Sequence, residues 1–126
     1  MLENYDFIVN RHSRFKLKFI LVVKTDVLIK SIEKDIQNEL ILVAKNIFTL
    51  KNRLHIEEIN FKEGNGMEIH FEILTINDLD CRKLINNFKT VSSRSIRSKF
   101  NNRLSQIGLK KGFWEQKYFL MTKNYN

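Results

Sequence analysis

Glu68 and His70 are the residues of this chain whose types and spacing most directly suggest chemistry. They fall in a segment, residues 67–74, in which apolar and polar side chains alternate as they do in a β-strand. Strand side chains alternate between faces, so Glu68 and His70 share one face. An oxygen donor and a nitrogen donor at this spacing can share one divalent metal ion. The same pattern also fits a strand whose polar side chains simply face solvent.

The other residues able to ligate a metal or act as nucleophiles are isolated. His12 and His55 have no comparable partner in sequence, and Cys81 falls on the apolar stripe of a predicted helix, where it is expected in the core. A single cysteine excludes an internal disulfide and a cysteine zinc cluster. Neither a glycine-rich phosphate loop nor a Ser-His-Asp spacing is present in the sequence.

Positive charge is concentrated between residues 81 and 114. The chain has 22 Lys plus Arg against 14 Asp plus Glu, a net charge of +8, and this block holds nine basic residues and no acid. Such segregation creates a local field that favours a polyanionic partner such as DNA. A solvated lysine-rich face and a docking surface for an acidic protein are the alternatives. The predicted DNA-binding residues are Lys89, Ser92, Ser93, Arg94, Arg97, Lys99, Arg103 and Trp114.

Two local features shape this prediction. Ser92 is expected to cap the start of a helix, where hydroxyls and unpaired backbone N–H groups could receive a phosphate. Arg94 and Arg97 are three residues apart and therefore neighbours on one helix face. Trp114 could stack on an unpaired base, or it could anchor the following strand in the core.

Length and composition indicate one globular domain over residues 1–126, with tails at 1–12 and 123–126. The hydrophobic content of 43% is that of a protein with an ordinary core. No apolar run approaches the roughly 20 residues that span a bilayer, and no secretory signal is recognisable. The interpretation is a cytoplasmic protein with no membrane partner.

The elements that must position these residues follow from periodicity and turn signals. The expected fold class is α+β, an antiparallel sheet with helices packed on one face, of ferredoxin-like type. The predicted order is strand, helix, strand, strand, helix, helix, strand. The ranges are 15–23, 32–48 with Ser31 as cap, 54–61 with a bulge at Glu57-Glu58, 67–74, a helix starting at Asn77 or Asp78, a helix from Ser92, and 116–122.

Four segments together resemble the insertion-sequence-200-like, single-tyrosine HUH transposases. Residues 19–24 are similar to that family's first strand, and residues 66–73 match its Asp-His-Val-His-Leu-Leu strand. Residues 88–97 resemble its Leu-Lys-Gly-Xaa-Ser-Ser-Arg-Leu-Leu-Arg helix start, and residues 113–119 its Leu-Trp-Ser-Pro-Ser-Tyr-Phe segment. The spacings between the segments also agree, so the resemblance covers roughly residues 15–122.

The resemblance implies an HUH-type fold and a chemistry. Family members bind hairpins near transposon ends and cut single-stranded DNA, with a tyrosine hydroxyl attacking a phosphodiester and becoming linked to its 5′ end. Two histidines hold a divalent metal that polarises the scissile phosphate. The members are usually dimers, which implies a homodimer here. In a bacterium the protein would accompany the nucleoid.

Two departures from the family pattern bear on catalysis. Glu68 stands where the family has its first metal-binding histidine, so the resemblance implies at most a weak Mg²⁺ or Mn²⁺ site at Glu68 and His70. The family's nucleophilic tyrosine lies on a helix beyond the final strand, where this chain offers only Tyr125, a weak candidate near a terminus that is expected to fray.

Three hypotheses for function follow. The first is a DNA-binding relative of these transposases, acting on single-stranded or hairpin DNA, with impaired or lost strand cleavage. The second is an active single-stranded DNA transposase that uses Glu68, His70 and a tyrosine. The third is an RNA-binding module of split βαβ type, a class that usually carries aromatics on the exposed face of its central strands.

Overall fold

The computed structural model describes residues 15–76 and 80–124. Four strands form one sheet, namely β1 (Leu17–Thr25), β2 (His55–Gly64), β3 (Gly66–Thr75) and β4 (Trp114–Asn124). Their order across the sheet is β2-β3-β1-β4, and every neighbouring pair is antiparallel. Helix α1 (Lys34–Ala44) continues directly as a π-helical segment (Lys45–Lys51), and helix α2 spans Cys81–Gln106.

The predicted α+β class is confirmed, since the helices cover one face of an antiparallel sheet. The core combines alternate residues of the central strands, such as Phe19, Leu21 and Phe71, with buried residues of both helices, such as Leu40 and Phe88. The other face of the sheet, called here the open face, carries the residues that alternate with these, including Glu68 and His70. The alternation read from β3 therefore places the candidate metal pair on the open face.

The start of α1 differs from the prediction. The helix begins at Lys34 with Glu33 at the N-cap position and no side-chain cap, so the predicted cap at Ser31 is wrong. Other groups satisfy the first turn, because the side-chain amide of Gln37 donates to the carbonyl of Ile32 and the Asp35 carboxylate accepts from the Ile36 N–H. The predicted core stripe is confirmed and consists of Ile32, Ile36, Leu40, Ala44 and Phe48.

A helix start at Ser92 is wrong, because α2 is interrupted by a kink at Phe100 and not before Ser92. Ser92 is fully buried inside α2, and its hydroxyl donates to the carbonyl of Phe88, one turn earlier. Serine in a helix can bond backward in this way as readily as it caps one, because the same hydroxyl serves both arrangements. The backbone departs from helical angles only at Phe100 (φ −127°, ψ 24°), eight residues beyond the predicted break.

Three further predictions concern the start of α2, the bulge in β2 and the end of β4. The Asp80 carboxylate accepts from the Lys83 N–H and caps the helix, whereas the expected caps, Asn77 and Asp78, lie outside the described residues. The predicted bulge is confirmed by a register shift between Ile56 and Glu58. Strand β4 continues two residues past its predicted end, to Asn124.

Among residues 15–76 and 80–124, neither helix has the length and apolar character that a bilayer crossing requires.

Candidate nucleic-acid groove and metal pair

An open groove of about 570 Å³ lies between α2 and the start of β4. One wall is a face of α2 whose residues recur at helical spacing, because positions three and four apart are neighbours. The other wall is the chain that leads into β4. The groove is lined by Asn86, Lys89, Thr90, Ser93 and Arg94 from the helix and by Gly112, Phe113, Trp114, Glu115 and Gln116 from the other side.

Lys89 ties the two walls of the groove together. Its ammonium donates to the carbonyls of Glu115 at 2.5 Å and Gln116 at 3.1 Å, and it lies 5.9 Å from the ring centre of Tyr118. Partial burial lowers the pKa of Lys89 below its usual value. Much of this cation's hydrogen-bonding capacity therefore holds the edge strand against the helix.

Arg94 is the exposed cation of the groove lining. Its side chain is exposed, and within the described part of the chain it forms no hydrogen bond or ion pair. Ser93 lies beside it on the same wall and is half-buried. A guanidinium next to a hydroxyl can donate hydrogen bonds to two oxygens of one phosphate.

Trp114 is anchored rather than free. Its indole N–H donates to the Ser92 hydroxyl at 2.9 Å. The ring packs against Phe88, with centroids 5.8 Å apart, and edge-on against Phe113 at 4.8 Å. The geometry favours the core-anchoring alternative for Trp114, which forms part of the groove wall.

Three of the predicted DNA-binding cations lie outside the groove. Arg97 donates to the carbonyl of Leu109 at 2.9 Å. Lys99 pairs with Glu39 at 2.8 Å, and Arg103 pairs with Asp35 through two hydrogen bonds of 2.8 Å and 2.6 Å. The basic block is thus partly neutralised by carboxylates of α1.

These inter-helix pairs have electrostatic consequences. The Lys99 ammonium and the Ser95 hydroxyl lower the pKa of the Glu39 carboxyl, and the Arg103 guanidinium lowers that of Asp35. A signal for the pairs exists in the sequence, because Asp35 and Glu39 are four residues apart and so are Lys99 and Arg103. Equal spacing of acids and bases allows two antiparallel helices to match both pairs at once.

The candidate metal pair lies on the open face as predicted. The imidazole Nε2 of His70 is 2.9 Å from Oε1 of Glu68, and the two side chains are 27% and 37% exposed. A methyl group added to Gly64 would lie 3.5 Å from Glu68 Oε2, an ordinary van der Waals distance, so this carboxylate oxygen lies beside the hairpin end of β2. The pair is half-open to solvent and internally hydrogen-bonded.

The charges around this pair oppose a cation. Lys24 on β1 and Lys62 on β2 are the direct cross-strand partners of Glu68, so both lysines stand on the same face. No cluster of three or more His, Cys, Asp or Glu able to hold a metal occurs among the described residues. Glu68 and His70 already bond each other, and they stand between two lysines. They therefore do not fit a firmly held divalent ion.

Glu72, the next carboxylate on this face, belongs to a separate cluster. Lys18 contacts Glu72 at 2.5 Å and Glu57 at 2.9 Å. These contacts raise the pKa of Lys18 well above its usual range, and the hydrogen bond from Lys18 lowers the pKa of Glu72. Glu72 is therefore committed to Lys18.

The tyrosines do not complete a catalytic site within the described residues. Tyr118 is half-buried and packs against the core on the helix side of the sheet, away from Glu68 and His70. Tyr125, the candidate nucleophile from the sequence, lies outside the described residues, as does Tyr5.

Comparison with known proteins identifies a similar solved structure and a protein family. No curated protein matches the chain. The fold is similar to the crystal structure of a "putative transposase" from Deinococcus radiodurans R1, with a TM-score of 0.68 and 16% sequence identity over 85% of this chain and 78% of that one. The family model described as "Transposase IS200 like" matches residues 12–125. With that match extending over nearly all of its length, the chain belongs to the IS200-like transposase family.

Proposed function

We propose that this protein binds single-stranded or hairpin DNA and that its strand-cleaving chemistry is impaired or lost. The observation that carries the binding part is Arg94, an uncommitted guanidinium in an open groove of about 570 Å³ beside a serine hydroxyl. Family membership supports DNA as the polyanion. The groove has room for a phosphate together with its sugar.

The expected contacts in the groove are fewer than the sequence predicts. Arg94 and Ser93 face the opening directly, and Lys89 can contribute charge from behind its two carbonyl partners. Lys99 and Arg103 are paired with α1, so breaking those pairs would oppose their use on DNA.

Arg94→Ala is expected to weaken binding to every sequence and to flatten the slope of log affinity against log salt by about 0.7, the contribution of one phosphate contact on single-stranded DNA. Fluorescence anisotropy with a labelled hairpin oligonucleotide at several salt concentrations measures both quantities. Lys51→Ala is the matched control, because Lys51 is exposed and lies outside the groove lining.

Two outcomes would contradict this assignment. An unchanged salt slope in Arg94→Ala would mean that the groove does not hold a phosphate. Stronger competition by a single-stranded RNA of the same sequence than by the DNA would favour the RNA-binding hypothesis, because the 2′-hydroxyl distinguishes the two ligands.

The impaired chemistry rests on the donor set of the open face. Glu68 replaces a histidine in the family pattern, its carboxylate is hydrogen-bonded to His70, and Lys24 and Lys62 flank it. Any Mg²⁺ or Mn²⁺ held by Glu68 and His70 would be bound weakly, because both ligands must exchange an existing contact and repulsion from the two ammonium groups opposes the ion.

Incubation of this protein with hairpin DNA carrying a single-stranded flank, in the presence of Mn²⁺, is expected to give no covalent protein–DNA adduct. The reason is that the donor pair is incomplete and Tyr118 lies on the opposite side of the sheet. Denaturing gel electrophoresis with labelled DNA tests this expectation. An adduct that disappears in Tyr125→Phe would instead establish the active transposase that uses Glu68, His70 and a tyrosine.

We also propose a homodimer formed through β4. This strand lies at one edge of the sheet, so one side of its backbone has no strand partner within the described chain. Phe119 and Met121 beside this edge are 55% and 44% exposed. Unprotected edges with apolar side chains tend to pair. Sedimentation at tens of micromolar is expected to give a dimer that Phe119→Lys converts to a monomer, and a monomeric parent protein would exclude the proposal.

A further inference from the structure

We propose that Lys24 and Lys62 hold a DNA phosphate on the open face without a metal ion. The two ammonium groups would supply the positive charge at this position, because Glu68 and His70 do not fit a firmly held metal ion. This inference rests on the proposed DNA-binding function and adds a second phosphate site, distinct from the groove at Arg94.

The geometry of the sheet brings the two lysines to one row. Lys62, Glu68 and Lys24 are direct cross-strand partners on β2, β3 and β1. Neighbouring strands are about 4.8 Å apart, so the two lysine Cα atoms are about 10 Å apart with Glu68 between them. Their flexible side chains can converge above the sheet on the two free oxygens of one phosphodiester.

Both lysines are available for a ligand. Lys62 is exposed and Lys24 is partly exposed, and neither forms an ion pair or side-chain hydrogen bond within the described part of the chain. Lys18 on the same face is different, because Glu57 and Glu72 already neutralise it. Lys24 and Lys62 therefore leave free positive charge on both sides of Glu68.

The Glu68 carboxylate opposes a bound phosphate, but one of its oxygens is already hydrogen-bonded to His70. Its Oε1 is engaged by His70, and its Oε2 lies toward Gly64, at the hairpin end of β2. The carboxylate therefore stands between the two lysines, with one oxygen directed along β3 to His70 and the other toward the hairpin. Its residual charge should nevertheless oppose a phosphate, and that opposition gives the experiment a second arm.

The experiment measures hairpin-DNA affinity in EDTA as a function of salt. Lys24→Gln/Lys62→Gln is expected to flatten the salt slope by about 0.7, since the two lysines together neutralise one phosphate of single-stranded DNA. Relative to 1 M salt, the corresponding loss of affinity at 0.1 M salt is about 5-fold. Lys45→Gln/Lys51→Gln removes the same charge from two exposed positions of the π-helical segment, and this matched control should leave the slope unchanged.

Glu68→Gln separates the lysine site from a metal site. If the lysines hold the phosphate, this variant tightens binding in EDTA, and Mn²⁺ does not alter the affinity of the parent protein. Weaker binding by Glu68→Gln together with an Mn²⁺ requirement in the parent would overturn the proposal in favour of a metal-held phosphate.

The remaining outcomes distinguish a failure of the open-face site from a failure of the proposed DNA binding. If the parent binds DNA, Arg94→Ala weakens it, and the Lys24/Lys62 variant behaves like its control, then the open-face site is wrong while the groove assignment stands. If the parent protein does not bind hairpin DNA in EDTA at all, both are wrong.

Discussion

Replacing Phe88 with alanine is expected to lower the free energy of unfolding by about 3–5 kcal/mol. The Phe88 ring is fully buried and contacts three other rings, with centroid distances of 5.3 Å to Phe48, 5.5 Å to Phe71 and 5.8 Å to Trp114. Truncation would leave a cavity between the sheet and the helices, which rigid aromatic neighbours fill poorly. Urea denaturation followed by circular dichroism measures the change.

The Phe88→Ala experiment also has a functional readout. Phe88 supports Trp114, which forms part of the groove wall, so the variant should lose DNA affinity even at temperatures where it remains folded. Leu50→Ala is the control, because that side chain is 76% exposed and its truncation should change stability by less than about 0.5 kcal/mol. A loss below about 1 kcal/mol in Phe88→Ala would contradict the packing described for the core.

Gly66→Ala is expected to cost at least about 2 kcal/mol, because backbone strain and close contact act together. Gly66 has φ of +92°, and a Cβ placed there would lie 2.9 Å from the carbonyl oxygen of Thr25 and 3.1 Å from that of Asp26. Neither oxygen can move freely, since Asp26 belongs to a turn and Thr25 is fully buried in β1. The Thr25 hydroxyl additionally accepts from the Met67 N–H at 2.8 Å.

Gly108 provides the comparison that separates the two causes. It has φ of +85°, and nothing lies within 4 Å of a Cβ placed there. Gly108→Ala should therefore carry only the backbone cost of about 1 kcal/mol, and the difference between the two variants measures the contact with β1. Equal effects at both positions would mean that the approach of Gly66 to Thr25 is unimportant. Thermal unfolding of the two variants side by side decides between these results.

The parts of the structure that were predictable are those governed by local periodicity. The alternation from Met67 to Ile73 identified which face of β3 carries Glu68 and His70, because strand side chains must alternate. The irregular pattern at Glu57-Glu58 identified the bulge, and the core stripe of α1 followed from its four-residue spacing.

The wrong predictions concern residues whose type suits two local structures, and residues whose partners are set by how the helices pack. Ser92 can cap a helix or bond to the preceding turn, and burial against Trp114 selects the second. The basic block suggested seven exposed or phosphate-facing positions and a stacking tryptophan, yet Lys99 and Arg103 face α1. Which helix packs against which is a tertiary property, so the pairing with Glu39 and Asp35 could not be assigned from α2 alone.

The change of winding between α1 and the π-helical segment explains how Phe48 reaches Phe88. A four-residue repeat on an α-helix overshoots each turn by about 40°, so the line from Ile36 to Phe48 would rotate by about 120° around an uninterrupted helix. The wider π turn needs more than four residues, so from Lys45 onward the same repeat rotates in the opposite sense. Only the last of the three steps, from Ala44 to Phe48, lies in this segment, so it adds nothing to the drift, and Phe48 is fully buried while Leu50 remains outside. The π-helical segment thereby limits the drift of the apolar stripe around the helix, and Phe48 stacks on Phe88 of α2, the helix that forms one wall of the groove.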